Sequence, residues 1–171
     1  MTRFSRVWSM PNKHTFLIKP IAELLAGWVP EGGQGWIDPF AGWNSPAQFT
    51  NDLNPDAPTT THLDARDFVT LFDDASLDGV LFDPPYTSRQ VAECYRGFGR
   101  EVTAEDTRAT FWSTVKDLAA PKVRPGGMVI SFGYNTMGFG KNRGFRIIQI
   151  LMVPHGGPHH DTLVTVERKL T

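Results

Sequence analysis

The sequence predicts an α/β domain built on a mostly parallel sheet covered on both faces. Three observations carry that expectation. Short apolar runs alternate with segments whose apolar residues recur at helical spacing. Four strand-like runs end in an aspartate: Asp38, Asp52, Asp64 and Asp83. The last two runs are joined by a short polar connection, which predicts an antiparallel hairpin at one edge.

Each element has a local reason. From Pro20 to Trp28, Ile21, Leu24, Leu25 and Trp28 form one stripe, with proline in the first turn, and predict a helix. The glycine-rich loop from Pro30 to Gly35 precedes a strand, whereas a dinucleotide fingerprint must follow one. Trp36 to Phe40 predicts a first strand, Gln48 to Asp52 a second, and Thr61 to Asp64 a third. A short helix from Arg66 to Phe72 comes next, then a fourth strand from Asp78 to Asp83. Ser88 to Arg96 is a helix with Val91, Cys94 and Tyr95 on one face. Thr103-Ala104-Glu105-Asp106 opens another, with a capping threonine and an acid three residues on. Phe111, Val115, Leu118 and Ala119 continue its apolar face. Pro125-Gly126-Gly127 predicts a turn, and Met128 to Phe132 the fifth strand. Ile147 to Val153 and Thr162 to Glu167 predict the closing hairpin. Only seven residues, Ala41 to Ala47, join the first two strands. A parallel crossover normally takes a dozen or more. Either this one is nearly helix-free, or the second strand is shorter and starts later.

Bulk properties narrow the class. A chain of 171 residues fits one domain, residues 1–171, with no separate target-recognition domain. With 40% hydrophobic and 20% charged residues it reads as soluble and globular. No apolar run approaches the ~20 residues of a membrane span. The basic start, Met1 to Arg6, has no apolar stretch behind it, which argues against a signal peptide. Cys94 is the single cysteine, so an internal disulfide and a cysteine-cluster zinc site are excluded, and a cytoplasmic location is expected. The net charge of −1 means that any polyanion must meet a local basic patch. Arg3, Arg6, Lys13, His14 and Lys19 form one candidate; Lys141, Arg143 and Arg146 form another. A partner subunit or a homodimer is the other source of such contacts.

The segment Asp83-Pro84-Pro85-Tyr86 carries the most chemistry. It places a carboxylate, two prolines and an aromatic ring at the end of a buried strand. That set suits methyl transfer to an amino group on a flat ring. The exocyclic nitrogen of adenine is a poor nucleophile because its lone pair is delocalised. Two acceptors, the Asp83 carboxylate and the Pro84 carbonyl, would fix its N–H groups and aim the lone pair. The prolines stiffen the segment and donate no hydrogen bond, and Tyr86 would stack on an extruded base. The four acids at strand ends suit a ligand rich in hydroxyls and amino groups, such as S-adenosylmethionine, held beyond the strand ends.

The chain resembles the amino-methyltransferases that act on adenine N6 in DNA, and in particular small phage and bacterial proteins of that type. Asp38-Pro39-Phe40-Ala41-Gly42 resembles their cofactor loop. Thr50 to Pro55 resembles the segment carrying the ribose-binding acid, and His62 to Ala65 the segment beside the cofactor adenine. Asp83 to Tyr86 resembles the catalytic motif, and Lys13 to Ile21 an N-terminal motif bordering the cofactor. The resemblance implies a seven-stranded class I methyltransferase fold of Rossmann-like type, with S-adenosylmethionine as donor. It implies Asp83, Pro84, Pro85 and Tyr86 as catalytic residues. It implies Phe16, Lys19, Pro20, Asp38, Pro39, Phe40, Ala41, Gly42, Asn44, Asp52, Leu53, Asp64 and Ala65 around the cofactor. The chain departs from the family at Asn44, where a second glycine usually stands; asparagine tolerates left-handed φ.

On the substrate side, Arg89 and Gln90 carry donors suited to base edges or phosphates, and Lys141 and Arg143 sit in a glycine-rich loop. That loop is not a phosphate-binding Walker loop, because Asn142 follows the lysine. His155, His159, His160 and Asp161 match no standard zinc spacing. Methyl transfer from a sulfonium needs no metal, so none is expected. The expected substrate is DNA. The alternatives are an RNA amino group, such as one in ribosomal RNA, and a nucleic-acid-binding subunit that has lost catalysis.

Overall fold

The computed structural model describes residues 1–85, 88–97, 99 and 109–171. Its elements are β1 (Arg3–Arg6), α1 (Lys19–Trp28), β2 (Trp36–Asp38), β3 (Phe49–Thr50), α2 (Ala65–Thr70), β4 (Leu77–Phe82), α3 (Ser88–Gly97), α4 (Ala109–Ala119), β5 (Val123–Gly133), β6 (Phe145–Val153) and β7 (Thr162–Lys169). They form a seven-stranded sheet in the order β1-β6-β7-β5-β4-β2-β3. Six strands run the same way. β7 runs against both β5 and β6 and makes the antiparallel hairpin.

The core divides by face. Phe16, Ile18 and the α1 residues Ile21, Leu24 and Leu25 pack on Trp36, Leu81, Met128, Ile130, Phe132, Val164 and Val166. On the other face, Phe68 and Val69 of α2 and Phe111, Val115 and Ala119 of α4 pack on Ile37, Val80, Phe82, Val129 and Phe145. Val80, Leu81 and Phe82 are consecutive, fully buried, and divided between the two faces. A strand covered on both sides therefore reads as an unbroken apolar run. Each such side chain contributes roughly 1.5–3 kcal/mol relative to exposure.

Several expected elements move. Thr61 to Asp64 is not a strand: Thr61 makes an isolated bridge to Asn51, and Asp64 caps α2. The seventh strand is instead β1, at the opposite edge. Its four residues carry no apolar run, and all are at least partly exposed, so no pattern marks it. The second strand shrinks to Phe49–Thr50. Pro125-Gly126-Gly127 is not a turn between elements but a bulge inside β5. Leu77 pairs with Val123 and Gly79 with Met128, so one β4 residue faces four of β5. The helix start at Thr103 to Asp106 lies outside the described residues.

Two parallel crossovers lack a helix of their own, and buried polar side chains hold them instead. Between β5 and β6 the chain has a single 3-10 turn, Lys141–Arg143. The Glu167 carboxylate, on β7, accepts the Phe139 N–H at 2.7 Å and the Gly140 N–H at 2.8 Å. Gly138 sits against that carboxylate with φ +51; a Cβ there would lie 2.2 Å from Glu167 Oε2. Lys116 Nζ on α4 donates to the Gly138 carbonyl at 2.6 Å. Arg143 donates to Asp117 Oδ1 at 2.7 Å and to Ser113 Oγ at 2.8 Å. The crossover is thus pinned to β7 on one side and to α4 on the other.

Candidate active site

The β2–β3 crossover is the other one without a helix, and it builds the site. Asp38, the last residue of β2, is fully buried. Its carboxylate accepts the Phe40 N–H at 3.0 Å and the Ser45 hydroxyl at 2.6 Å, folding the loop back onto the strand end. Burial pushes the carboxyl up to about 7, against those two hydrogen bonds, and the nearby charges of Asp83 and Asp52 push it the same way. Gly42 takes a positive φ of +56 and donates its N–H to Asp52 Oδ2 at 3.0 Å. Asp52 Oδ1 also accepts the Asn54 N–H at 2.9 Å. Among the described residues Ala75 is the one non-glycine with positive φ, so Asn44 keeps an ordinary backbone and Gly42 alone makes the turn.

Asn51 does the work of the missing strand. It is 1% exposed. Its amide nitrogen donates to the carbonyls of Pro39 and Leu63 at 3.2 and 2.9 Å. Its oxygen accepts the Thr61 hydroxyl at 2.7 Å and the Leu63 N–H at 2.8 Å. One side chain thereby ties the loop after β2 to the segment before α2.

A cavity of about 340 Å³ opens at the C-terminal ends of β2, β3 and β4. This is the point where the strand order reverses, the usual ligand crevice of an open α/β sheet. Phe40, Ala41, Gly42, Trp43 and Asn44 line it from the loop after β2, Asp52 and Asn54 from the loop after β3, and Asp83 from the end of β4. Lys13, His14, Thr15 and Phe16 close it from the N-terminal segment. Phe16 is anchored by its ring contact with Phe132, centroids 5.0 Å apart. Asp83 is partly exposed toward the cavity. Burial pushes its carboxyl up to about 6, against a hydrogen bond from the Thr15 hydroxyl. Two carboxylates, Asp52 and Asp83, therefore line the cavity with the buried Asp38 close by, while Lys13 and His14 stand at the edge.

Of the expected cofactor residues, Phe16, Phe40, Ala41, Gly42, Asn44 and Asp52 meet in this cavity. Asp38 and Pro39 lie within the loop rather than on its surface toward the cavity, and Leu53 is not among the lining residues. Lys19 and Pro20 form the first turn of α1. Asp64 caps α2 through the Arg66 N–H at 2.9 Å and pairs with the Arg66 guanidinium at 3.0 Å; Ala65, buried, starts the helix. Neither lines the cavity. Pro84 is buried and Pro85 half-buried behind Asp83, whereas Tyr86 and the side chains of Arg89 and Gln90 lie outside the described residues. Lys141 and Arg143 line a separate cavity of about 580 Å³ between α4 and the β5–β6 crossover, with Arg143 committed to Asp117 and Ser113. Lys13, His14, Thr15, Trp43 and Asn54 also line the cavity, Lys13 to Thr15 within the N-terminal motif expected to border the cofactor and Asn54 within the segment of the ribose-binding acid. The hydroxyl of Thr15 stood inside the N-terminal motif, but nothing in the sequence showed that it would reach Asp83. His155 is a structural histidine: its ring nitrogens contact the Ser9 carbonyl and the Thr162 hydroxyl, each at 2.9 Å.

Among the described residues no helix is long and apolar enough to cross a membrane. No protein-family model matches the chain, and no curated protein does. Solved structures do match. TrmN from Thermus thermophilus superposes with a TM-score of 0.57 at 19% identity; the match covers 90% of this chain and 49% of that one. The N-methyltransferase NodS from Bradyrhizobium japonicum WM9 gives 0.55 at 9% identity, covering 90% and 96%. The 1,6-didemethyltoxoflavin-N1-methyltransferase of Burkholderia thailandensis, crystallised with 1,6-didemethyltoxoflavin and S-adenosylhomocysteine, gives 0.53 at 12% identity, covering 80% and 71%. The seven-stranded mixed sheet with its β6–β7 hairpin is therefore the class I methyltransferase fold.

Proposed function

We propose that the chain transfers a methyl group from S-adenosylmethionine to the N6 amino group of adenine in DNA. The observation that carries this reading is the position of Asp83: a carboxylate backed by two prolines, at the end of β4, on the floor of the switch-point cavity. A volume of about 340 Å³ falls within the ~300–1,000 Å³ of small-molecule sites. The carboxylates of Asp52 and Asp83 suit a cationic ligand. Asp52 retains lone pairs for a ribose diol beyond the two amides it already accepts. Two of the solved neighbours are N-methyltransferases by name and one holds S-adenosylhomocysteine, which supports the same donor here.

S-adenosylmethionine supplies an electrophilic methyl carbon on a sulfonium. Phe40, Ala41, Gly42, Asn44 and Asp52 would hold it against the loop. Asp83 would accept one N–H of the substrate amine and the Pro84 carbonyl the other, so that the nitrogen lone pair points at the methyl carbon. Positioning of this kind supplies much of the rate. As the nitrogen–carbon bond forms, the carbon–sulfur electron pair stays on sulfur, and Asp83 takes the amine proton and passes it to water. A carboxylate pushed up to about 6 is a better proton acceptor than an ordinary aspartate.

The test is nucleoside mass spectrometry after incubation with S-adenosylmethionine and unmethylated DNA or, separately, RNA. N6-methyladenine in DNA, lost in Asp83→Ala while calorimetric binding of S-adenosylhomocysteine persists, is the expected result. Product in RNA alone would move the substrate to RNA. An active Asp83→Ala enzyme would overturn the catalytic assignment. No product and no cofactor heat would leave a fold without its activity.

A further inference from the structure

The first 22 residues hold four of the chain's 17 lysines and arginines and none of its 18 acids. The fold lays one stretch of this acid-free segment, Arg6 to Phe16, along the rim that bears the cavity. β1 runs parallel to β6, so its C-terminal end, Arg6, points to the same edge as Asp83. From there the Val7 and Ser9 N–H groups bond the carbonyls of Met152 and Pro154 at 2.9 and 3.1 Å, and His155 holds the Ser9 carbonyl. The segment then reaches Lys13 and Thr15 at the cavity. These anchors are backbone groups, which leaves the side chains outward. Trp8 is 58% exposed. Its indole lies beside Gly156, where a Cβ would be 3.5 Å from Nε1. Across the same loop His160 packs on Tyr134, ring centroids 5.0 Å apart, and Tyr134 is 44% exposed.

Half-exposed aromatic rings, Trp8 between the cations Arg6 and Lys13 along the segment and Tyr134 across the neighbouring loop, match what a polynucleotide strand carries: flat unpaired bases and regular negative charge. The carboxylate floor and the cationic rim also separate the two ligands by sign. We propose that this rim is the docking track for a single polynucleotide strand. Bases beside the target stack on Trp8 and Tyr134, and phosphates run past Arg6 and Lys13 into the Asp83 cavity. The inference rests on the methyl-transfer reading above for the direction of the track. A single strand is favoured over a duplex because stacking on exposed rings needs bases already free of their partners.

Fluorescence anisotropy with end-labelled single-stranded and duplex oligonucleotides, DNA and RNA, across a salt series tests this. Thermal melts by circular dichroism confirm folding of each variant. Single strands are expected to bind more tightly than duplexes. Trp8→Ala should weaken single-strand binding by at least about fivefold, the lower end of what one stacked base contributes. Arg6→Ala should reduce the slope of log affinity against log salt by about 0.7, one phosphate's share on a single strand. Wild-type affinity in both folded variants, with nucleic acid still methylated, would overturn the track and leave the methyl-transfer reading standing. Preference for duplex unaffected by Trp8→Ala would do the same. A wild-type protein that neither binds nor methylates any oligonucleotide would overturn both.

Discussion

Replacing Asp38 by asparagine tests the electrostatics of the loop after β2. Burial moves this carboxyl from an ordinary value of 3.8 to about 7. Between those two values the folded state holds a proton that the unfolded chain releases. Stability from this group is therefore full below pH 3.8, falls as pH rises, and is gone above about 7. Each pH interval of one with a full proton difference is worth about 1.4 kcal/mol, so the whole span comes to about 4 kcal/mol. From pH 5 to pH 8 the share is about 3 kcal/mol. Asparagine can keep the Phe40 N–H bond, and its amide can donate to the Ser45 hydroxyl, without ever charging. Urea midpoints measured every half pH step at constant ionic strength give the assay. With an m-value of about 2 kcal/mol/M, the midpoint of Asp38→Asn should gain about 1.5 M on wild type between pH 5 and pH 8. Two midpoints that move in parallel across that range would refute the claim that Asp38 is charged at a cost inside the folded loop.

Three further outcomes are expected. Methyl-transfer rate under limiting substrate should rise as pH climbs through about 6 and level off by about 8, because Asp83 must ionise to accept the amine proton; a rate flat from pH 5 to 8 would remove it from that step. Asn51→Ala strips partners from the Leu63 N–H and from the carbonyls of Leu63 and Pro39, and at about 1 kcal/mol each should cost about 3 kcal/mol. For a chain of this size that is a drop in Tm of about 10 °C by calorimetry. Gly138→Ala forces a Cβ to within 2.2 Å of the Glu167 carboxylate at φ +51, and a loss of about 2 kcal/mol or more is expected in the same experiment; an unchanged Tm would show that the crossover gives way freely.

Legibility in the sequence followed the physics of each residue's task. The apolar run through Val80, Leu81 and Phe82 announced β4 because both its faces are buried, and Ile21, Leu24 and Leu25 announced α1 because only one face is. The loop from Phe40 to Asn44, Asp52 and Asp83 could be placed because they sit at strand ends, where backbone direction fixes side-chain neighbourhood. β1 could not, since an edge strand of four residues held by backbone hydrogen bonds leaves no apolar signature. Asn51 and Glu167 failed for a different reason. Their partners lie far along the chain or in loops, and a polar residue satisfied by distant amides looks the same in sequence as one facing water. The short spacing from Ala41 to Ala47 left two alternatives, a crossover without a helix or a shorter, later second strand, and both hold, but it did not show that Asp38, Asn51 and Asp52 would supply what the helix omits.

The sheet also sets where the chain's two ends emerge. Thr2 Oγ1 bonds the Ile147 carbonyl and the Leu170 N–H bonds the Gly144 carbonyl, both near the start of β6 and thus at the opposite edge from Asp83. Any segment, tag or domain joined at either end begins its path on the far side of the molecule, with the cavity and its rim left clear. A surface-immobilised or fused form can therefore be attached through either end without first obstructing the route to Asp83.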